Sequence, residues 1–121
     1  MASFEITDTE GIVTVTVSGE SAPEDGSRIL REAAPRLTPG APLLIDIRPA
    51  LGPALSFSDF HRYASTLADL SEVYGGRIAV LDDFDERFEM TQFFEASATV
   101  RGAAVRAFVS EVAALRWLRD A

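Results

Sequence analysis

Two nearly continuous apolar runs, APLLIDI at residues 41–47 and RIAVL at residues 77–81, constrain the fold of this 121-residue chain more than any other feature. An apolar run without alternation suits a strand covered on both faces, and such strands belong to parallel sheets whose connections are helices. The runs predict central parallel strands over residues 42–47 and 77–82, joined by a helix over residues 57–74. Ser56 supplies an N-cap for that helix with Asp59 three residues on, and Phe60, Ala64, Leu67 and Tyr74 share its apolar face.

The flanking segments extend this plan. SFEIT and GIVTVTVSG are rich in β-branched residues, and the intervening DTEG offers turn chemistry, with Gly11 free to take a positive φ; together they predict an N-terminal hairpin. Val13, Val15 and Val17 alternate with Thr14 and Thr16, so one face of the second strand is buried. Ser21 and Glu24 have capping-box spacing ahead of Ile29, Leu30, Ala33 and Leu37, a helix stopped by TPG. The last third reads as helix, edge strand at AVRAFV, and a final helix capped by Ser110. The expected fold is α/β: a five-stranded mixed sheet with about four helices in two layers, as a single domain over residues 1–121.

The chemistry is defined largely by what the chain lacks. There is no cysteine and no lysine, which removes thiol nucleophiles, disulfides and the P-loop lysine. The N-terminus MASFEITDTEG has neither a basic flank nor an apolar core, and no apolar run reaches the roughly 20 residues of a bilayer span, so a cytoplasmic chain that does not span a membrane is expected. The net charge of −8, with arginines scattered along the chain, argues against nucleic acid as a partner.

Asp46 and Asp82 end the two apolar runs and lie where open α/β sheets gather ligands. The acids of DDFDERFE nevertheless read as the start of a helix, with Asp83 and Glu86 as a capping box and Asp85 favoured by the helix dipole, because neither a supporting His or Cys nor a calcium-loop glycine accompanies them. No metal, no cofactor and no catalytic residue is expected. His61, the sole histidine, has no serine elbow or carboxylate partner that would make it catalytic. Phe84, Phe88, Phe93, Phe94 and Met90 supply more apolar mass than one covering helix requires, and both core and pocket readings stay open.

The order of elements and four of their motifs resemble the SpoIIAA-like branch of the STAS domains, which is related in fold to SEC14-type lipid carriers. VTVSGESAPED is similar to that family's strand, glycine and helix entry, LLIDI to its central strand, RIAVLDD to its strand ending in acid, and AVRAFVSEVAALRWL to its closing strand and helix. The resemblance implies a non-enzymatic binding module. In anti-sigma-factor antagonists of the family, a serine in an Asp-Ser-Ser/Thr-Gly loop is phosphorylated by the partner kinase; here that loop reads DIRPALGPALSFSDF and lacks the Asp-Ser pair.

Two functions follow from the resemblance and the aromatic excess. In the first, an apolar or lipid-like small molecule binds in a cleft at the carboxyl edge of the sheet, between residues 49–58 and 86–96, with Phe57, Phe60, Phe88 and Phe94 as its walls. In the second, the chain is a protein-interaction module in a signalling circuit that uses the surface around Ser56 and Ser58. Monomer and homodimer are both compatible with either function.

Overall fold

The computed structural model describes residues 2–51, 55–83 and 86–120, with the side chain of Glu86 excluded. Strands β1 (Ser3–Thr9) and β2 (Ile12–Glu20) form an antiparallel hairpin, and α1 (Asp25–Ala33) follows, tightening into a 3₁₀ turn at Ala34–Arg36. Next come β3 (Leu43–Asp46), β4 (Ala50–Leu51), α2 (Phe57–Asp69), β5 (Ile78–Leu81), α3 (Glu86–Val100), β6 (Val105–Phe108) and α4 (Glu111–Arg119). The main sheet order is β1-β2-β3-β5-β6, parallel from β2 onward. Among the described residues no helix is long and apolar enough to cross a membrane.

The two apolar runs form the sheet centre, and all eight residues of β3 and β5 are buried. Their alternation separates two cores. Val13, Val15, Val17, Leu43, Ile45, Ile78 and Val80 face α1, α2 and α3, where Phe60, Ala64, Leu67 and Phe94 meet them. Leu44, Ala79 and Leu81 point to the reverse face and pack with Ile12, Ala114 and Leu118, so α4 covers that side. The two-layer packing thus describes α1–α3 on the sheet, and α4 adds a short cover behind it. Leu67 and Ala64 are 0% exposed, which places α2 at the centre of the larger core.

The hairpin turn places both Glu10 (φ 53°) and Gly11 (φ 83°) in the left-handed region, as a two-residue loop matched to the strand twist requires. Asp8 steadies it by accepting the Gly11 N–H at 3.2 Å. Gly26 has a different role. A Cβ there would lie 2.5 Å from the Tyr63 ring, so its absence lets α1 and α2 close on each other. Tyr63 then donates to the Pro23 carbonyl at 2.7 Å, Tyr74 to that of Leu30 at 2.8 Å, and Thr66 to the Ser27 hydroxyl at 3.0 Å.

Three local expectations need correction. Glu24 is the N-cap residue of α1 but makes no side-chain cap; Asp25 reaches back to the Ala22 N–H at 2.7 Å instead, so the Ser21–Glu24 box does not form. α2 ends at Asp69, with turns carrying the chain on to Tyr74, so the helix is shorter than 57–74. Residues 50–51, expected in loop, form β4 against Gly19 and Glu20 as a sixth strand off the main path.

The open edge of β6 is partly closed by a side chain. Ile78 and Asp82 donate to the carbonyls of Ala104 and Phe108, so the Ala107 N–H points away from β5. Glu95 on α3 accepts that N–H at 3.1 Å.

Candidate functional site

The carboxyl ends of the central strands open into a cleft of about 680 Å³ beneath α1, α2 and α3. Val17, Ile45 and Val80 form its floor. Ile29 and Leu30 line it from α1, Phe60 and Tyr63 from α2, and Met90, Thr91 and Phe94 from α3. Ile47, Ala50, Leu51 and Leu55 continue the apolar surface on the β3–α2 connection, while Arg48, Asp83 and Arg87 bring charge to it. The volume falls within the roughly 300–1,000 Å³ of small-molecule sites.

The two acids that end the apolar runs do not converge. Asp46 is gripped by Arg48, with Nε 3.0 Å from Oδ1 and Nη2 2.9 Å from Oδ2, and the same guanidinium lies 3.2 Å from Glu111 at the start of α4. The hydrogen bond to Asp46 is the main reason that the Arg48 pKa is raised. Asp82, 0% exposed, turns to α3 instead, where Arg87 Nη2 donates to Oδ1 at 2.6 Å and Thr91 Oγ1 to Oδ2 at 2.9 Å. Arg87 also donates to the carbonyls of Ala50 at 2.7 Å and Ile47 at 3.0 Å, tying the β3–β4 turn to α3.

Asp25 is a third buried carboxylate. It accepts from the Ala22 N–H, the Ala2 N–H and Arg28, and the Ala22 bond, ahead of the opposing effect of burial, holds its carboxyl below the usual range. Among the described residues no three His, Asp or Glu side chains gather as metal ligands.

The four phenylalanines singled out from the sequence separate in space. Phe60 and Phe94, each 6% exposed, line the cleft and also belong to the core. Phe57 and Phe88 are not among the lining residues; Phe57 is 46% exposed and packs edge to face on Phe93 at 5.0 Å between ring centres. Ser56 forms the expected capping box, accepting the Asp59 N–H at 3.1 Å while Asp59 accepts the Ser56 N–H at 2.8 Å. Ser58 is exposed on the first turn of α2. Asp85, Phe84 and the Glu86 side chain lie outside the described residues, and with them the Asp83–Glu86 box.

The sequence reading missed Tyr63, Arg48 and Arg87 as site residues. Arg87 had a detectable signal, since it opens a helix five residues after an acid buried at a strand end and such an acid requires a cation. His61 is exposed and sits 3.1 Å from the Arg101 guanidinium, away from the cleft lining.

No family model matches the chain, and no curated protein matches it significantly. Solved structures do match along nearly its whole length. A structure described as an anti-sigma factor antagonist from Mycobacterium paratuberculosis aligns over 99% of this chain and 96% of its own, with a TM-score of 0.65 and 18% identity. A DUF3478-family protein with a SpoIIAA-like fold from Shewanella loihica PV-4 aligns over 97% and 93%, with a TM-score of 0.54 and 18% identity. The chain therefore has the SpoIIAA-like fold of STAS domains.

Proposed function

We propose that this protein is a non-enzymatic binding module that holds an apolar or amphipathic small molecule in the cleft. The observation that carries the reading is the cleft of about 680 Å³ with its mainly apolar lining in a chain of only 121 residues. A well-packed core leaves few voids larger than a water molecule, so space on this scale, open to solvent, is what a ligand of some 15–25 heavy atoms requires. The buried charges are consistent with binding rather than catalysis: Asp46, Asp82 and Asp25 are each committed to an arginine. The test is titration with the neutral fluorophore N-phenyl-1-naphthylamine. Saturable one-site binding is expected, with loss in Leu55→Trp, where an indole would fill the cleft from a half-buried position at the margin of the core, and far-ultraviolet circular dichroism should show the fold kept. Saturable binding that Leu55→Trp leaves unchanged would place the probe elsewhere and count against the reading.

A second reading, a protein-interaction module in a regulatory circuit, draws on the surface beside the cleft. Leu51 is 64% and Phe57 46% exposed, on either side of the connection that leads to Ser56 and Ser58. The likeness to a structure described as an anti-sigma factor antagonist favours the same reading. Phe57→Asp and Ser58→Glu should then each weaken capture of one and the same partner, identified by mass spectrometry, while probe binding in the cleft is kept. Capture unaffected by either change would remove this reading.

A further inference from the structure

We propose that the cleft discriminates by head-group charge and takes amphiphiles with a cationic head in preference to those with an anionic one. This rests on the reading of the cleft as a ligand site. Arg48 and Arg87 stand on its lining and would by themselves invite a carboxylate or phosphate. Both guanidiniums are already engaged. Arg48 spans the two oxygens of Asp46 and also meets Glu111, while Arg87 holds Asp82 and gives further N–H groups to the carbonyls of Ala50 and Ile47. An arriving anion would have to compete with a carboxylate at each position, and displacing Asp82 would leave a wholly buried charge without its counterion.

The remaining charge acts in the same sense. Asp83 is exposed on the lining, and Asp46, Asp82 and Glu111, which are not on the lining, stand against the two guanidiniums, so these two cations are matched by three carboxylates behind them and a fourth beside the cleft. Asp25, also on the lining, is offset by Arg28 at 3.1 Å. At the first turn of α2, whose amides would attract an anion, the Ser56–Asp59 box already takes the Ser56 and Asp59 N–H groups and sets the Asp59 carboxylate there. The net charge of −8 extends the same field to longer range.

The experiment is displacement of N-phenyl-1-naphthylamine by dodecyltrimethylammonium and by dodecanoate, both below their micelle concentrations. At an ionic strength of about 0.01 M the cation should displace the probe at a concentration about tenfold lower than the anion, and at about 1 M the gap should shrink to about twofold. Asp83→Asn and Glu111→Gln, which leave the Asp46 and Asp82 pairs in place, should each narrow the low-salt gap to about threefold. Dodecanoate displacing at an equal or lower concentration overturns the charge preference and leaves the ligand site standing. Absence of saturable probe binding overturns the site and the preference together.

Discussion

Asp82 and Arg87 form an ion pair in which the aspartate side chain is 0% exposed and the arginine side chain 27% exposed. The pair closes a loop in the fold, because the same guanidinium reaches back to Ile47 and Ala50. Arg87→Ala leaves a buried charge uncompensated and should cost about 3–5 kcal/mol in urea denaturation. Arg87→Lys should recover little of that, since one ammonium cannot serve a carboxylate and two carbonyls in the planar geometry that the guanidinium uses. Asp82→Asn combined with Arg87→Leu should be more stable than Arg87→Ala alone. A loss below 1 kcal/mol for Arg87→Ala would contradict this account of the β3–α3 junction.

The hairpin turn offers the opposite kind of test. Glu10 holds a positive φ that costs a side-chain residue about 1 kcal/mol, and its contact with Arg119 is long, at 3.5 Å between two exposed groups. Glu10→Asn, which gives the Asn-Gly pair favoured in such turns, should raise the thermal midpoint by a few degrees, equivalent to about 0.5 kcal/mol. A lower midpoint would mean that the Arg119 contact outweighs the backbone preference.

Divalent metal should not bind at the strand ends. Asp46 and Asp82 are taken by guanidiniums and turn to opposite layers, so a cation would have to displace an arginine from each. Calorimetry with calcium or magnesium should show no micromolar site, and one that vanished in Asp83→Ala would refute the prediction.

Alkaline titration should find both tyrosines of the chain silent near pH 10. Burial pushes Tyr63 and Tyr74 up to about 12, and each hydroxyl is donated to a backbone carbonyl. Because the folded values exceed the unfolded value near 10, the unfolded chain binds fewer protons between pH 10 and 12, and stability falls as pH rises through that window. Absorbance at 295 nm should therefore rise in step with the loss of far-ultraviolet circular dichroism. A rise that preceded unfolding by a pH unit or more would place the rings in water.

Acid acts through Asp25 with the opposite sign. Its lowered pKa contributes stability above the unfolded carboxylate value near 4, and that stability is lost as pH falls through the folded value. Asp25→Asn should cost about 1 kcal/mol or more at pH 7, through the hydrogen bonds of a charged acceptor, and less at pH 3. Equal costs at both values would exclude this role.

What the sequence revealed depended on range. The central strands, the Ser56–Asp59 box and the Ser110 cap, which accepts the Ala113 N–H, are decided within a few residues, so pattern sufficed. The cap of α1 failed at the same range because two acids compete there, and Asp25, one position further on, reaches both Ala22 and Ala2. β4 was hidden because its partner, Gly19–Glu20, lies thirty residues upstream and no local pattern of Ala50–Leu51 reports it. Of the four phenylalanines expected as walls only Phe60 and Phe94 line the cleft, although the segments expected to flank it, residues 49–58 and 86–96, do contribute lining residues. Its volume depends on the spacing of α1, α2 and α3, set by contacts such as Gly26 against Tyr63 that only the assembled fold reveals.

The hydrogen bond from Ala107 to Glu95 makes the two rims of the sheet unequal as templates for another chain. A foreign strand approaching β6 meets a donor already spent and an acid in its path, whereas β1 presents a seven-residue rim guarded chiefly by the charges of Glu5 and Asp8. Self-association through strand pairing is thereby steered to the N-terminal rim, and added salt, which screens those charges, should favour pairing there before it does so at β6.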